Sequence, residues 1–196
     1  MTHYFIIYKP YLVLSQFSTQ DTDKKTLKDC FDVPSDVYPV GRLDYDSEGL
    51  LLLTNDARLN HRLLHPSFAH EREYWVQVDG AIDAAAINNL QKGVVITPDG
   101  KPYTTKPCRV KLLEPAPPVP ERNPPIRFRK EIPAPWVQMI LTEGKNRQVR
   151  RMTAAVGFPT LRLIRQRIEK LELGNMQPGE IISLSKNTLF KKLFNE

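Results

Sequence analysis

A short charged loop, residues 40–49, stands out because it leads directly into a strongly apolar segment. The loop reads V-G-R-L-D-Y-D-S-E-G, and four leucines, Leu50–Leu53, follow it. Charged groups are easily solvated on a surface, but fixing them against a core costs free energy of desolvation. Asp44 is one of three carboxylates in this loop, and an ionised carboxylate can act as a nucleophile or as a base. The alternative is an ordinary turn aspartate or a helix cap.

A second charged segment lies far downstream, where residues 143–152 read E-G-K-N-R-Q-V-R-R-M. A glycine turn followed by a helix start presents backbone N–H groups and guanidinium groups together, which suits an anion such as phosphate. We expect Asn146 to cap this helix, and helical spacing then puts Arg147, Arg150 and Ala154 on one side. The alternative is a basic helix face that is simply solvated.

Apolar patterning predicts the elements that must position these two segments. The predicted strands are 3–8, 50–53, 74–78, 109–113 and 136–141, and the predicted helices are 57–64, Asp83 to Gly93, and 146–156. Strands outnumber helices, and many of them are spaced as in hairpins. The sequence therefore predicts an α+β fold with a mostly antiparallel mixed sheet and flanking helices.

Length and charge narrow the class of protein. The chain has 196 residues, of which 41% are hydrophobic and 26% charged, so it is globular rather than disordered. This length allows one sizeable core or two small lobes that share a cleft. The net charge of +6 favours a polyanionic partner such as nucleic acid.

Cysteine usage and the N-terminal residues indicate where the protein works. Cys30 and Cys108 lie far apart and form no C-x-x-C pair, so neither a zinc site nor a disulfide framework is expected. The first ten residues do not resemble a secretory signal, and no apolar run is long enough to span a membrane. We expect a cytoplasmic protein that is not bound to membranes.

The histidines offer a metal site that we do not expect to form. His61 and His65 are four residues apart on a predicted helix, which is a spacing found in zinc sites. However, Arg62 stands where a zinc protease has its glutamate base, and no cluster supplies a third ligand. We predict no metal ion.

A proline-rich segment, residues 115–135, interrupts the pattern of strands. Its prolines are Pro115, Pro117, Pro118, Pro120, Pro124, Pro125, Pro133 and Pro135. Because proline lacks the amide donor that helices and central strands need, we predict a long surface insertion or linker. It contains a basic stretch, Arg127-Phe128-Arg129-Lys130, and its role stays open.

Taken together, the G-R-L-D loop and the E-G-x-x-x-Q-V-R helix resemble motifs of the RsuA-type pseudouridine synthases. The resemblance implies the pseudouridine synthase fold, with two sub-lobes that share a central active-site cleft in a single catalytic domain, 1–196. Many members begin with a small S4 RNA-binding domain, and we expect none here. The chain is therefore most similar to the subgroup that lacks this domain and acts on large-subunit ribosomal RNA.

The resemblance also implies roles for individual residues. Asp44 matches the catalytic aspartate, and Arg150 matches the cation that would keep it ionised. Arg42 matches the arginine that fills the gap left by a flipped nucleotide, and Tyr74 matches the tyrosine that packs on the target uracil. Arg165 would contact RNA or the active-site network.

Two of these residues have ordinary alternatives. Tyr74 lies on a predicted strand, and without the resemblance a core tyrosine is the simpler interpretation. Arg42 could form a surface ion pair with Asp46 or Glu48. We keep both alternatives open.

The function implied by the resemblance is isomerisation of a specific uridine to pseudouridine in ribosomal RNA, with the large-subunit (23S) RNA as the expected substrate. We expect ribosomal RNA as the partner, no cofactor and a monomer. One alternative is a non-catalytic protein that binds ribosomal RNA or assists ribosome assembly on the same fold. Another is an RNA N-glycosidase, which would share base flipping and a catalytic carboxylate but would release free uracil.

Overall fold

The structure, a computed structural model, describes residues 1–126 and 129–196. Its strands are β1 (Tyr4–Lys9), β2 (Val13–Leu14), β3 (Lys25–Thr26), β4 (Tyr38–Pro39), β5 (Glu48–Thr54), β6 (Arg72–Val78), β7 (Val95–Ile96), β8 (Tyr103–Thr104), β9 (Arg109–Leu113), β10 (Trp136–Leu141), β11 (Thr160–Ile168), β12 (Leu171–Glu172) and β13 (Ile181–Ser183). Its α-helices are α1 (Ala57–Leu64), α2 (Ala84–Lys92), α3 (Gln148–Ala155) and α4 (Lys186–Phe194).

The chain divides into two compact units. Unit 1 comprises Met1–His70 and Ile164–Glu196, and unit 2 comprises Glu71–Leu163. Asp44, Arg42 and Arg165 belong to unit 1, whereas Tyr74, Arg147 and Arg150 belong to unit 2.

Unit 1 is built around β5. This strand pairs antiparallel with β1 and β4 and parallel with the middle of β11, while β13 pairs with the other side of β1. Every residue of β5 is buried, and Leu50–Leu53 are completely inaccessible to solvent. Strand residues covered on both faces of a sheet are usually apolar, which explains the run of four leucines.

The helices of unit 1 are amphipathic and capped as their sequences indicate. Leu59 and Leu63 of α1 are buried, at the i,i+4 spacing of one helix face. The carboxylate of Asp56 caps this helix by accepting hydrogen bonds from the backbone N–H groups of Arg58 and Leu59. Local sequence therefore determines where α1 begins.

Unit 2 contains an antiparallel sheet in which β10 lies between β6 and β9. Strand β10 and helices α2 and α3 contribute to one apolar core, whose members include Val76, Leu90, Val137, Met139 and Met152. The antiparallel pairing in both units, together with the four helices of the described residues, confirms the predicted α+β class with a mostly antiparallel mixed sheet.

The proline-rich segment connects β9 to β10, and its described residues form no helix or strand. Its last residues are attached to the end of β6: the N–H groups of Val78 and Gly80 donate to the carbonyls of Pro135 and Pro133, at 3.0 and 2.8 Å. Of the predicted basic stretch, Arg127 and Phe128 lie outside the described residues. Arg129 forms an ion pair with Asp79 of unit 2.

Among residues 1–126 and 129–196, no helix has both the length and the apolar character that crossing a bilayer requires.

Candidate active site

The predicted catalytic residue Asp44 lies in a loop that enters β5, residues 41–47, which we call the Asp44 loop. Asp44 is half-buried, Arg42 is exposed, and Ser47 at the end of the loop is buried. The N–H of Ser47 donates to the carbonyl of Asp44 at 3.0 Å, which closes a turn around the carboxylate. The loop begins at Gly41, whose φ of +72° is readily adopted only by glycine.

The main chain of the Asp44 loop is fixed by a preceding segment, residues 9–15. The hydroxyl of Ser15 donates to the carbonyl of Leu43 at 2.8 Å and accepts a bond from the N–H of the same residue at 3.0 Å. The N–H of Leu12 donates to the carbonyl of Tyr45, also at 3.0 Å. Backbone groups on either side of Asp44 are therefore held by the same short segment.

Segment 9–15 is itself stabilised by a lysine that is fully buried. The ammonium of Lys9 donates to the carbonyls of Pro10 and Val13 at 2.9 and 2.7 Å. Burial lowers the pKa of Lys9 to about 7, against the opposing effect of nearby acidic groups, of which Glu48 acts most strongly. Lys9 thus closes the turn that presents Leu12 and Ser15 to the Asp44 loop.

Arg165 is almost fully buried in unit 1, at 4% exposure. It lies on β11 directly opposite Gly49 of β5, and its Nε donates to the carbonyl of Leu50 at 2.8 Å. A Cβ atom at Gly49 would lie 2.4 Å from the carbonyl oxygen of Arg165, so only glycine allows this approach. Of the two roles predicted for Arg165, its burial favours the active-site network over direct contact with RNA.

Tyr74 lies on β6 of unit 2, on the same face as the buried Val76 and Val78, as the alternation of the sequence predicts. It is half-buried and packs against the core of unit 2. The carboxylate of the preceding Glu73 accepts hydrogen bonds from Trp75 Nε1 at 3.0 Å and Gln138 Nε2 at 2.5 Å. Tyr74 therefore has a packed side, as a core tyrosine has, and also a solvent-accessible part.

The segment before α3, residues 143–147, which we call the basic loop, is organised by Glu143. This carboxylate accepts hydrogen bonds from the Tyr103 hydroxyl at 2.5 Å, the Lys106 N–H at 2.9 Å and Gln148 Nε2 at 2.6 Å. Gln148 Oε1 in turn accepts from the N–H of Lys145 at 2.8 Å. The bond to Glu143 raises the pKa of Tyr103, so this hydroxyl stays protonated and continues to donate.

The predicted helix cap at Asn146 is wrong. The N–H of Gln148 donates to the carbonyl of Lys145, and this tight turn delays α3 until after Arg147. Arg147 occupies the cap position in a left-handed conformation, with φ of 51°, and Arg151 Nε donates to the carbonyl of Asn146 at 3.1 Å. As a result, Arg147 is exposed before the helix, whereas the half-buried Arg150 lies within it.

His61 lies on α1 as predicted, whereas His65 is the residue that follows the end of this helix, and the two rings are 5.1 Å apart. Within the described part of the chain, no group of three or more His, Cys, Asp or Glu side chains could hold a metal ion.

Sequence reasoning missed the roles of Lys9 and Ser15 in supporting Asp44. A lysine that ends the apolar run Y-F-I-I-Y is a weak sign of a buried cation. Ser15 has no comparable sign, because its partner Leu43 lies 28 residues away in the sequence.

Comparison with known proteins identifies the family. The model of the family described as RNA pseudouridylate synthase matches residues 3–155. Ribosomal large subunit pseudouridine synthase E of Xanthomonas campestris pv. campestris is 49% identical over 175 residues, which cover 89% of this chain and 91% of that protein. The protein of the same name from Vibrio parahaemolyticus is also 49% identical, over 89% of this chain and 71% of that protein.

A solved structure leads to the same conclusion. The crystal structure of a pseudouridylate synthase aligns with a TM-score of 0.79 at 26% identity, covering 98% of this chain and 74% of that one. The chain therefore belongs to the RNA pseudouridylate synthase family. It is an RNA pseudouridine synthase, and its predicted resemblance to the RsuA-type group is confirmed.

Proposed function

We propose that this enzyme converts a specific uridine of large-subunit (23S) ribosomal RNA to pseudouridine, with Asp44 as the catalytic residue. The observation that carries the proposal is the 49% identity to relatives named for the large ribosomal subunit, over 89% of this chain. The net charge of +6 agrees with an RNA substrate.

Access to the target base requires flipping. A stacked uridine does not expose its glycosidic bond, so it must leave the RNA stack before chemistry begins. The exposed Arg42 takes the place of the flipped nucleotide, and the accessible part of Tyr74 packs on the uracil. The packed side of Tyr74 supports this role, because it gives the ring a fixed orientation.

Asp44 then starts the isomerisation in one of two ways. Its carboxylate attacks C1′ of the ribose, or it removes the proton from C2′, and either route breaks the bond between C1′ and N1 of uracil. The freed uracil rotates and forms a new bond from C5 to C1′. On the first route this bond displaces the Asp44 carboxylate from C1′, and on the second the proton that Asp44 removed returns to C2′. C5 loses its hydrogen as a proton and N1 gains one, so the reaction is an isomerisation without net oxidation or reduction.

The cations have separate roles in the proposal. The family motif assigns Arg150 as the active-site cation, and Arg165 belongs to the active-site network. Arg147 binds RNA phosphate, which its exposed position before α3 supports. These roles follow the family motifs and agree with the burial of each side chain.

We also propose that the two units form one catalytic domain, which acts as a monomer in the cytoplasm. Both cysteines, Cys30 and Cys108, are free thiols, which is usual in a reducing compartment. No cofactor is required for the chemistry described above.

Tritium release tests the proposal. Large-subunit ribosomal RNA is transcribed in vitro with tritium at C5 of uracil and incubated with the enzyme, because forming the C5 bond expels that hydrogen. We expect release without free uracil. Free uracil would instead identify an N-glycosidase, and RNA binding without release would support a non-catalytic role in ribosome assembly. Small-subunit RNA serves as the control for substrate choice.

A further inference from the structure

We infer that Ser15 is a positioning residue for the catalytic aspartate. Its hydroxyl fixes the backbone of Leu43, the residue immediately before Asp44, and so acts on the carboxylate without touching RNA. The inference rests on the proposed catalytic role of Asp44.

Ser15 provides hydrogen-bond partners for both polar backbone groups of a single residue, Leu43. The Leu43 N–H donates to the hydroxyl at 3.0 Å, and the hydroxyl donates to the Leu43 carbonyl at 2.8 Å. Ser15 is 3% exposed and Leu43 is 7% exposed, so water has little access to replace either bond. Buried backbone groups must find partners, and here one hydroxyl supplies both.

The residues before and after Asp44 are both held by segment 9–15. Leu12 donates its N–H to the carbonyl of Tyr45 at 3.0 Å, on the far side of Asp44 from Leu43. Leu12 has a left-handed backbone, with φ of +57°, which is unusual for this residue type and shows that the segment is held in a defined shape. With residues 43 and 45 both fixed, the main chain sets the direction of the Asp44 Cα–Cβ bond.

Catalysis requires the carboxylate to be placed accurately. Displacing a reacting group by about 1 Å can cost about 100-fold in rate, even when the cause lies outside the site. Without the hydroxyl at position 15, the N–H and the carbonyl of Leu43 would lose these hydrogen bonds. The Asp44 loop would then sample several conformations, of which only some present the carboxylate to the ribose.

Unit 1 contains a second hydroxyl that serves as a matched control. Thr54, at the far end of β5, is also fully buried, donates to the carbonyl of His3 at 2.6 Å and accepts from the N–H of Asp56 at 3.1 Å. It makes the same two kinds of bond as Ser15, but it holds the start of α1 instead of the Asp44 loop. Ser15→Ala and Thr54→Val each remove one such hydroxyl.

The experiment measures single-turnover tritium release at saturating enzyme, the Kd for the RNA and the melting temperature for wild type and both variants. We expect both variants to lose thermal stability by a similar amount and to bind RNA as wild type does. The rate constant should fall about 10- to 100-fold for Ser15→Ala and less than twofold for Thr54→Val. If Ser15→Ala does not fold, Ser15→Cys keeps a weaker donor and acceptor and should show an intermediate rate.

The possible failures are distinguishable. A wild-type rate in Ser15→Ala, with lowered melting temperature, would show that Ser15 only stabilises the fold and would overturn the inference while leaving the proposed function intact. An equal loss of rate in Thr54→Val would also overturn it. If wild type itself releases no tritium, the proposed function fails and the inference fails with it.

Discussion

The Asp44 loop and the basic loop are both held in place by hydrogen bonds, but the residues that these bonds hold differ in exposure. The Asp44 loop is fixed by the buried hydroxyl of Ser15, which bonds to the main chain of the buried Leu43. The basic loop is fixed chiefly by the side chains of Glu143 and Gln148, while residues 144–147 remain exposed.

The difference fits the task proposed for each loop. A carboxylate that attacks or deprotonates a ribose must be placed within a fraction of an ångström, and buried bonds to the backbone achieve this. Cations that meet phosphates act over longer distances and need exposure more than accuracy. We therefore expect changes near Asp44 to affect the rate and changes near the basic loop to affect RNA binding.

The largest effect should come from the glycine that follows the Asp44 loop. Gly49→Ala would put a Cβ atom 2.4 Å from the carbonyl oxygen of Arg165, at a φ of +108°. Because both obstacles are backbone, we expect a loss of at least about 3 kcal/mol in the free energy of unfolding, measured by urea denaturation.

Gly144 in the basic loop provides the matched control. Apart from its two chain neighbours, no described residue has an atom within 4 Å of the position that its Cβ would occupy, and its φ is outside the left-handed region. Gly144→Ala should change stability by less than about 0.5 kcal/mol. Equal effects at the two glycines would contradict the contrast between the loops.

A smaller effect is expected at the centre of the basic loop. Glu143→Ala leaves the donors of Tyr103, Lys106 and Gln148 without their carboxylate, so we expect a loss of about 1–3 kcal/mol in stability. Steady-state kinetics should show KM for RNA raised about 10-fold and kcat changed less than threefold, which corresponds to about 1.4 kcal/mol of binding.

The control for Glu143→Ala is Glu71→Ala, which removes the same charge from the same unit. Glu71 forms an exposed ion pair with Arg109, at 2.7 Å, and such pairs contribute at most about 1 kcal/mol. A fall in kcat without a rise in KM for Glu143→Ala would show that the basic loop contributes to the chemistry, contrary to our account.

The last effect concerns the pH dependence of stability, through Lys9. Its pKa is about 7 in the folded protein and 10.5 when unperturbed, so between these values the unfolded state binds more protons. Stability from this group must therefore increase as the pH rises, by at most about 1.4 kcal/mol per pH unit. Lys9→Met removes this contribution.

The comparison is best made between pH 7 and 9. Glu48, Asp46, Cys30 and Asp44 face the ammonium, and burial raises the pKa of the Cys30 thiol. The difference in unfolding free energy between wild type and Lys9→Met should grow with pH. Parallel curves would show that Lys9 is not buried in the way described.

Features that depend on neighbouring residues could be predicted from the sequence. The four leucines of β5 indicated a strand, which is fully buried, and helices α1 and α2 begin where the sequence predicts, each capped by the aspartate before it, Asp56 or Asp83. Asn146 was wrong because a turn bond between Lys145 and Gln148 competes with capping, and propensity alone does not decide between the two.

Features that depend on distant partners could not be predicted in this way. The bonds of Ser15 join residues that are 28 positions apart in the sequence. The close approach of Gly49 and Arg165 brings together strands from the two separate chain segments of unit 1. The candidate residues Asp44, Arg150 and Tyr74 were found through family motifs, because nothing in their spacing distinguishes them from a turn aspartate, a solvated arginine and a core tyrosine.

The central claim is that Asp44 carries out the isomerisation, and tritium release from large-subunit ribosomal RNA tests it most directly. The assay compares wild type with Asp44→Asn and with the control Asp32→Asn, which changes an exposed aspartate of the same unit. We expect release by wild type and Asp32→Asn, and none by Asp44→Asn, with the Kd for RNA within about twofold of wild type for all three. Substantial release by Asp44→Asn would contradict the account.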